Sequence, residues 1–426
     1  MSDDNSQSFS YSKRAKSILG FSRWWQLVAA ALMMAAVSPY QYVWSSIERP
    51  LAESLDIALP ALGAVFSLYV VFQSLSQFPA GWIRDRYGPR QLTILAALLA
   101  GGGYIGLAYA TELWQLYMLY SLGAVGVGII YTVAVNTAVK WFPDRPGFTT
   151  GVGTMAFAAG SVLVVPYVRA YAVPDAYATV LRNVGIVILV AILIGAVVLR
   201  DPPQDWIEAT DEDDQDLAAS LRGKSYTAIE MLKTWQFWLL YAMFIAVASA
   251  DLLLIANIVG YAEHVGFAAV IATLSATVLP LASGVSRIIL GEFYDRFHSR
   301  YVMAVSFALA GLFRIILVYT GIAEFQILFI LMVVLAMFFS SPLYVYFPSM
   351  ISEYYGIEYS SGNYAIVYTA KIGGGVFSGV VAGYLVVAVG WSVTFLIGGI
   401  LAILAALGAM VLRPPAESGL QSEPKR

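Results

Sequence analysis

The chain has 426 residues, of which 59% are hydrophobic and 12% charged, with a net charge of −3 and no cysteine. Soluble domains carry about 25% charged residues, so this chain lacks the polar side chains to cover itself in water. The weakly negative balance offers no electrostatic basis for binding nucleic acid, and without cysteine there is no disulfide, thiolate nucleophile or cysteine metal site.

Apolar stretches of about 20 residues, long enough to cross a hydrocarbon core of about 30 Å, recur along the chain. They fall at 24–44, 59–83, 91–110, 113–138, 147–168, 179–199, 235–260, 267–293, 301–320, 325–350, 362–387 and 391–412. The polar stretch before the first is followed by a long apolar run with no small-residue cleavage site, so it is expected to lead into a retained helix rather than a secretory signal. The expected fold is all-α and polytopic, with twelve spans in two pseudo-symmetric six-helix bundles. An N-terminal tail over 1–23 precedes a bundle over 24–199; a linker over 200–234 leads to a second bundle over 235–412 and a tail over 413–426.

Span 1 carries Ser38-Pro39-Tyr40-Gln41-Tyr42-Val43-Trp44, a proline break beside an amide and three rings. Breaks at membrane depth are tolerated where they border a cavity or packed protein, which makes Gln41 and Tyr42 candidate donors to a substrate. Span 4 adds Tyr131 after a glycine-rich turn. The linker opens with a proline pair and turns strongly acidic, as a solvated connection between halves does. Span 7 then carries Asp251, span 8 Arg287, span 9 Arg314, span 10 Tyr344, and span 11 both Tyr368 and Lys371.

Positive charge is unevenly placed. Lys13, Arg14, Lys16 and Arg23 precede span 1; Arg84, Arg86 and Arg90 follow span 2; Lys140 and Arg145 follow span 4. Arg200, Arg222, Lys224 and Lys233 follow span 6, Arg296 and Arg300 follow span 8, and Arg413, Lys425 and Arg426 close the chain. The alternate loops mix fewer bases with acids. By the positive-inside rule both termini are expected in the cytoplasm of a cell whose inner membrane holds the protein.

The two halves repeat a motif. Gly81-Trp-Ile-Arg-Asp85-Arg86-Tyr-Gly-Pro-Arg90 after span 2 is echoed by Gly291-Glu-Phe-Tyr-Asp295-Arg296-Phe-His-Ser-Arg300 after span 8. Repetition of this kind implies two packed bundles with a substrate site between them near the midplane and alternating access by rocking. The glycines let helices approach, and the Asp and Arg side chains form a candidate conformational charge lock. The paired loops resemble the signature of the major facilitator superfamily across essentially all twelve spans. Within it, Lys140-Trp-Phe-Pro-Asp-Arg145 and Met231-Leu-Lys-Thr-Trp-Gln-Phe-Trp-Leu-Leu240 resemble the oxalate/formate antiporter family, related to the monocarboxylate transporters.

A charge at the bilayer centre costs about 2.5 to 3.5 kcal/mol on insertion scales. Arg287 precedes Asp295 by eight residues, about 12 Å along a helix, and its first-half counterpart is the neutral Gln77, so the repeat alone does not demand the charge. Lys371 lies as deep and is followed by glycines. Two cations in one half with few nearby acids suggest an anion site, the guanidinium gripping a carboxylate through two hydrogen bonds and the ammonium acting as a point charge. The bland alternative is that one of them pairs with Asp251 as a helix tie. Asp251 itself is readable as a salt-bridge partner, a gate, or a protonatable group for proton-linked symport. Arg314 is expected to snorkel to the interface.

The resemblance implies that Arg287 and Lys371 contact a carboxylate substrate, joined by Gln41, Tyr42, Tyr131, Tyr344 and Tyr368. Where the family carries aromatic walls on spans 5 and 10 this chain has Ala158 and Ser340, which implies a wider pocket. The expected function is secondary transport of small organic carboxylates by exchange, working as a monomer without cofactor or metal. Proton-coupled symport is the alternative and a non-transporting receptor a distant third. No metal-like cluster surrounds His264 or His298, and the repeated Asp85 and Asp295 sit at helix ends, so a membrane enzyme is not expected.

Overall fold

The computed structural model describes residues 3–142, 145–203, 225–356 and 359–415. Helices occupy almost all of it. Among the described residues eleven helices are long and apolar enough to cross a membrane, and the bent pair Tyr11–Leu19 with Trp24–Tyr42, which contains the first span, brings the number to as many as twelve.

Each predicted span has its helix. Span 1 runs as Trp24–Val37, Pro39–Tyr42 and Trp44–Leu55. Spans 2, 3 and 4 are Leu59–Tyr87, Pro89–Leu107 and Leu113–Trp141; span 5 is Pro146–Ala159 and Val164–Tyr171, joined by a 3-10 turn at Gly160–Val162; span 6 is Tyr177–Val198. In the second half, spans 7, 8 and 9 are Trp235–His264, Ala269–Arg296 and Ser299–Ile322. Span 10 is Gln326–Ser340 and Leu343–Tyr355, and span 12 is Trp391–Val411. Span 11 is the most broken, with α-helix at Ser360–Tyr368, Ala370–Val376 and Ala382–Val389 around a π-helical turn at Phe377–Val381. A helix over Asp3–Leu19 precedes span 1, and from Tyr11 onward it is bent by 77° from that span.

Local chemistry sets these boundaries. Thr234 accepts from the Phe237 N–H at the start of span 7, and Glu112 with Gln115 forms a capping box at the start of span 4. Both satisfy orphan N–H groups that would otherwise be costly near lipid. Gly88 and Gly356, at φ of 79° and 84°, end spans 2 and 10 in a backbone region that other residues resist. The outward faces are apolar: Leu98, Val187, Val197, Ile327 and Leu404 are all exposed, the inverse of a soluble bundle and the arrangement a bilayer stabilises.

The repeat is visible in the packing. A Cβ on Gly81 would lie 3.5 Å from Thr132 of span 4, and one on Gly291 would lie 3.4 Å from Val345 of span 10. Three residues beyond each glycine the halves diverge. Arg84 is fully buried, donates to Thr137 Oγ1 at 3.0 Å and pairs with Asp201, whereas Tyr294 stacks on Tyr346 at 5.1 Å.

The halves meet most closely on the face opposite the termini. There Ser67 of span 2 donates to the Gly375 carbonyl of span 11 at 2.8 Å. Glu263 of span 7 receives Arg49 at 2.7 Å and Arg169 at 2.9 Å, both from the first half. On the face carrying the termini, a cavity of about 550 Å³ opens between Phe78 of span 2 and Tyr359, Gly362, Ile366 and Thr369 of span 11. Thr369, two residues before Lys371 in sequence, is part of the cavity wall, while the buried Lys371 and Arg287 are not.

Candidate functional site

The helix breaks converge on one place. Span 1 turns at Ser38 and Pro39, span 10 at Ser341 and Pro342, and span 11 at Thr369. Interrupted helices free backbone and side-chain groups at membrane depth, which is tolerable where they face a cavity or protein.

Lys371, 2% exposed, donates to Gln41 Oε1 at 3.2 Å, Gln73 Oε1 at 3.0 Å and Tyr368 OH at 3.3 Å. Its three protons are thus held by neutral oxygens, two of them from the other half. Arg287, 4% exposed, donates to Ser341 Oγ and Ser283 Oγ, both at 3.3 Å, and to the Thr154 carbonyl of span 5 at 2.9 Å. Among the described residues neither cation has a carboxylate partner. The Tyr344 ring stands between them, 5.0 Å from the Arg287 guanidinium and 5.6 Å from Lys371 Nζ. The negative ring face offsets part of the two positive charges and leaves both short of a full counter-charge.

The remaining predicted residues join the same network. Tyr42 OH hydrogen-bonds Ser283 Oγ at 3.0 Å. The Tyr368 ring packs on Tyr344 at 6.2 Å and on Phe244 at 6.1 Å. Tyr131 reaches the group through Phe157, whose ring is 5.4 Å from Tyr131 and 6.2 Å from Tyr42. Among the buried donors without a hydrogen-bond acceptor in the described residues are Tyr344 OH and Gln73 Nε2. Each would cost about 1 to 3 kcal/mol if left unmet, and both sit beside the cations.

Sequence reasoning missed Gln73, Ser283, Ser341 and Phe157. Neutral side chains within apolar helices carry no desolvation signal, although Gln73 sits one turn from Gln77, the repeat counterpart of Arg287.

Arg314 requires a correction. It does not snorkel: it is 2% exposed, and its guanidinium lies 3.6 Å from Asp251, itself fully buried. Arg314 also donates to the carbonyls of Ala310 and Ala336 at 3.1 and 3.2 Å and to Ser340 Oγ at 2.9 Å, while Ser340 donates to Asp251 at 2.5 Å. Depth along span 9 was legible, but the face that Arg314 presents was not. Asp251 is therefore tied to Arg314 and not to Arg287 or Lys371. Ser340, where an aromatic wall was the family expectation, belongs to this ion pair; Ala158 is fully buried.

Of the repeated loops, Arg86 lies over the Trp82 ring at 5.6 Å, Arg90 is exposed, Arg296 pairs with Glu292 at 2.6 Å and Arg300 lies over Tyr301 at 4.7 Å. The side chains of Asp85 and Asp295 lie outside the described residues, as do residues 204–224 of the linker.

The sequence profile of the Major Facilitator Superfamily matches residues 17–274 and 239–426. Over 399 residues the chain is 31% identical to the oxalate:formate antiporter of Oxalobacter formigenes, covering 92% of each protein. Its fold matches a D-xylose-proton symporter with a TM-score of 0.73 at 15% identity, over 92% of this chain and 98% of that one. It also matches the nucleoside transporter NupG with a TM-score of 0.70 at 11% identity, over 91% and 99%. With its two six-helix halves and a polar site between them, the chain belongs to the Major Facilitator Superfamily and is a multi-pass secondary transporter, not an enzyme.

Proposed function

We propose that this transporter exchanges small organic carboxylates, binding them between the halves with Arg287 and Lys371 as counter-charges. The observation that carries this reading is the pair of buried cations on either side of Tyr344 with no carboxylate of their own. A guanidinium and an ammonium so placed fit a carboxylate at each end of a short dianion, or one monoanion with charge to spare. Gln41, Tyr42, Tyr131 and Tyr368 complete the lining, and the unmet Tyr344 hydroxyl and Gln73 amide are donors for the same guest. Exchange follows from the charge: an empty carrier would have to reorient two uncompensated cations through a low-dielectric barrier, so an anion accompanies each swing. The likeness to the oxalate:formate antiporter supports the same substrate class.

The distribution of Lys and Arg supports an inner-membrane protein with both termini cytoplasmic. The face closed by Glu263 is then external and the cavity beside Phe78 opens to the cytoplasm. Gly81, Asp85, Arg86 and Arg90, with Gly291, Asp295, Arg296 and Arg300, are proposed to lock the cytoplasmic side in the alternate state, and one chain is the transporting unit.

The test is uptake of radiolabelled oxalate, formate, lactate and pyruvate into proteoliposomes, with and without internal counter-substrate. Uptake of at least one that requires an internal anion is expected. If Arg287→Gln and Lys371→Gln both left that uptake intact, the assignment of the site would be wrong.

A further inference from the structure

Asp251, 0% exposed, is the most deeply buried carboxylate among the described residues, and three buried cations lie on spans 8, 9 and 11 of the same half. Arg314 lies 3.6 Å from it, while Arg287 and Lys371 belong to the neighbouring hydrogen-bond network. The two systems are a single residue apart. Ser340 bridges Arg314 and Asp251, while Ser341 accepts from Arg287 and contacts Ser283 at 2.5 Å. Both serines stand at the break in span 10, with Ser340 the last residue of its first segment.

One negative charge among three positive ones poses a choice of partner. A buried carboxylate without a partner is strongly disfavoured, so in the absence of Arg314 it would turn to the next cation within reach. That cation is one of the two reserved for substrate, and the internal carboxylate would then compete with a carboxylate guest for the same charge. The carbonyls of Ala310 and Ala336 hold the Arg314 guanidinium in place from spans 9 and 10. Asp251 keeps one oxygen, Oδ2, with no hydrogen-bond partner, so its tie to Arg314 is not saturated by other groups.

We propose that Arg314 is a positioning residue for the substrate site: it sequesters Asp251 and so keeps an internal carboxylate off Arg287 and Lys371. The proposal rests on the reading that those two cations bind the substrate. It predicts an asymmetry that a plain helix tie does not, because a tie is broken equally by neutralising either end.

The experiment compares Arg314→Gln, Asp251→Asn and the double variant as purified full-length protein, with oxalate and formate as probes for calorimetric binding and proteoliposome exchange. Unliganded melting temperature is measured alongside. For Arg314→Gln, affinity is expected to fall at least tenfold, while Asp251→Asn stays within about threefold of the parent and the double variant recovers to that range. Equal loss in the two single variants, parental affinity in Arg314→Gln, or no recovery in the double variant overturns the proposal. Should Arg314→Gln fail to fold, Arg314→Lys keeps the charge and is expected to bind as the parent does, and a loss of tenfold or more in Asp251→Asn is then the overturning result. Failure of the underlying reading looks different: the parent binds neither probe, or Arg287→Gln binds as well as the parent.

Discussion

Lys371 of span 11 donates to Gln73 of span 2 at 3.0 Å, a bond between residues 298 positions apart that belong to opposite halves. Rocking of the halves must lengthen it, so the ammonium is shared between a protein amide and whatever enters the cavity.

Gln73→Glu is nearly isosteric but would give Lys371 a permanent counter-ion. Loss of exchange by at least tenfold is expected with the fold intact, measured by counterflow in proteoliposomes and by gel filtration of the purified protein. Wild-type exchange in this variant would remove Gln73 from the site.

Arg287→Lys tests geometry at constant charge. The planar fork reaches Ser283, Ser341 and the Thr154 carbonyl from three separate nitrogens, a spread that the single nitrogen of an ammonium does not reproduce. A loss of about 1.5 to 3 kcal/mol in substrate binding, or roughly 10- to 150-fold in affinity, is expected if a charge-assisted bidentate contact is removed. Titration calorimetry reads it directly, and an unchanged dissociation constant would show that only charge matters there.

The clamp on the face opposite the termini is also testable. Arg169 and Glu263 are mostly buried, at 12% and 19% side-chain exposure, while Arg49 is 61% exposed. The first pair is expected to contribute about 1 kcal/mol to closure and the second a few tenths. Glu263→Gln should therefore raise the population open on that face about 5- to 10-fold. Because the chain has no cysteine, spin labels at Tyr109→Cys and Phe325→Cys, one in each half, can report it by pulsed distance measurement. A distance distribution identical to that of the parent background would count against a gating clamp.

Helix approach supplies a fourth prediction. A Cβ on Gly379 would lie 2.1 Å from the Gly63 carbonyl oxygen and 2.3 Å from Ser67 Oγ, and one on Gly63 would lie 2.6 Å from the Gly379 oxygen. Gly379→Ala must push spans 2 and 11 apart in this state. It is expected to cut turnover at least tenfold while leaving carboxylate affinity within about threefold, since the wedge lies away from Lys371 and acts on one conformation. An equal fall in affinity and turnover would place the effect at the binding site instead.

The spans were readable because hydrocarbon thickness imposes a length that few other constraints mimic. Arg287 and Lys371 stood out for the same reason, each being a charge at a depth where charge is costly. Arg314 shows the limit of that logic: depth is a one-dimensional quantity, and whether a side chain turns to lipid or to Asp251 depends on rotation about the helix axis and on span 7, 63 residues earlier. The breaks in spans 10 and 11 had weak local signals, Pro342 for one and a run of glycines for the other. Gln73 and the serines at 283 and 341 left no trace because neutral polar groups are common in transmembrane helices and only their convergence gives them meaning.

Within the π turn at Phe377–Val381 the Val380 N–H donates to Ser67 Oγ of the other half at 3.0 Å. That donor is on loan. When spans 2 and 11 part, the Val380 N–H and the Gly375 carbonyl lose that hydroxyl together, and polar groups left bare in hydrocarbon are costly. Water must follow the separating helices inward, which makes wetting of this seam a step of the transport cycle rather than a by-product of opening.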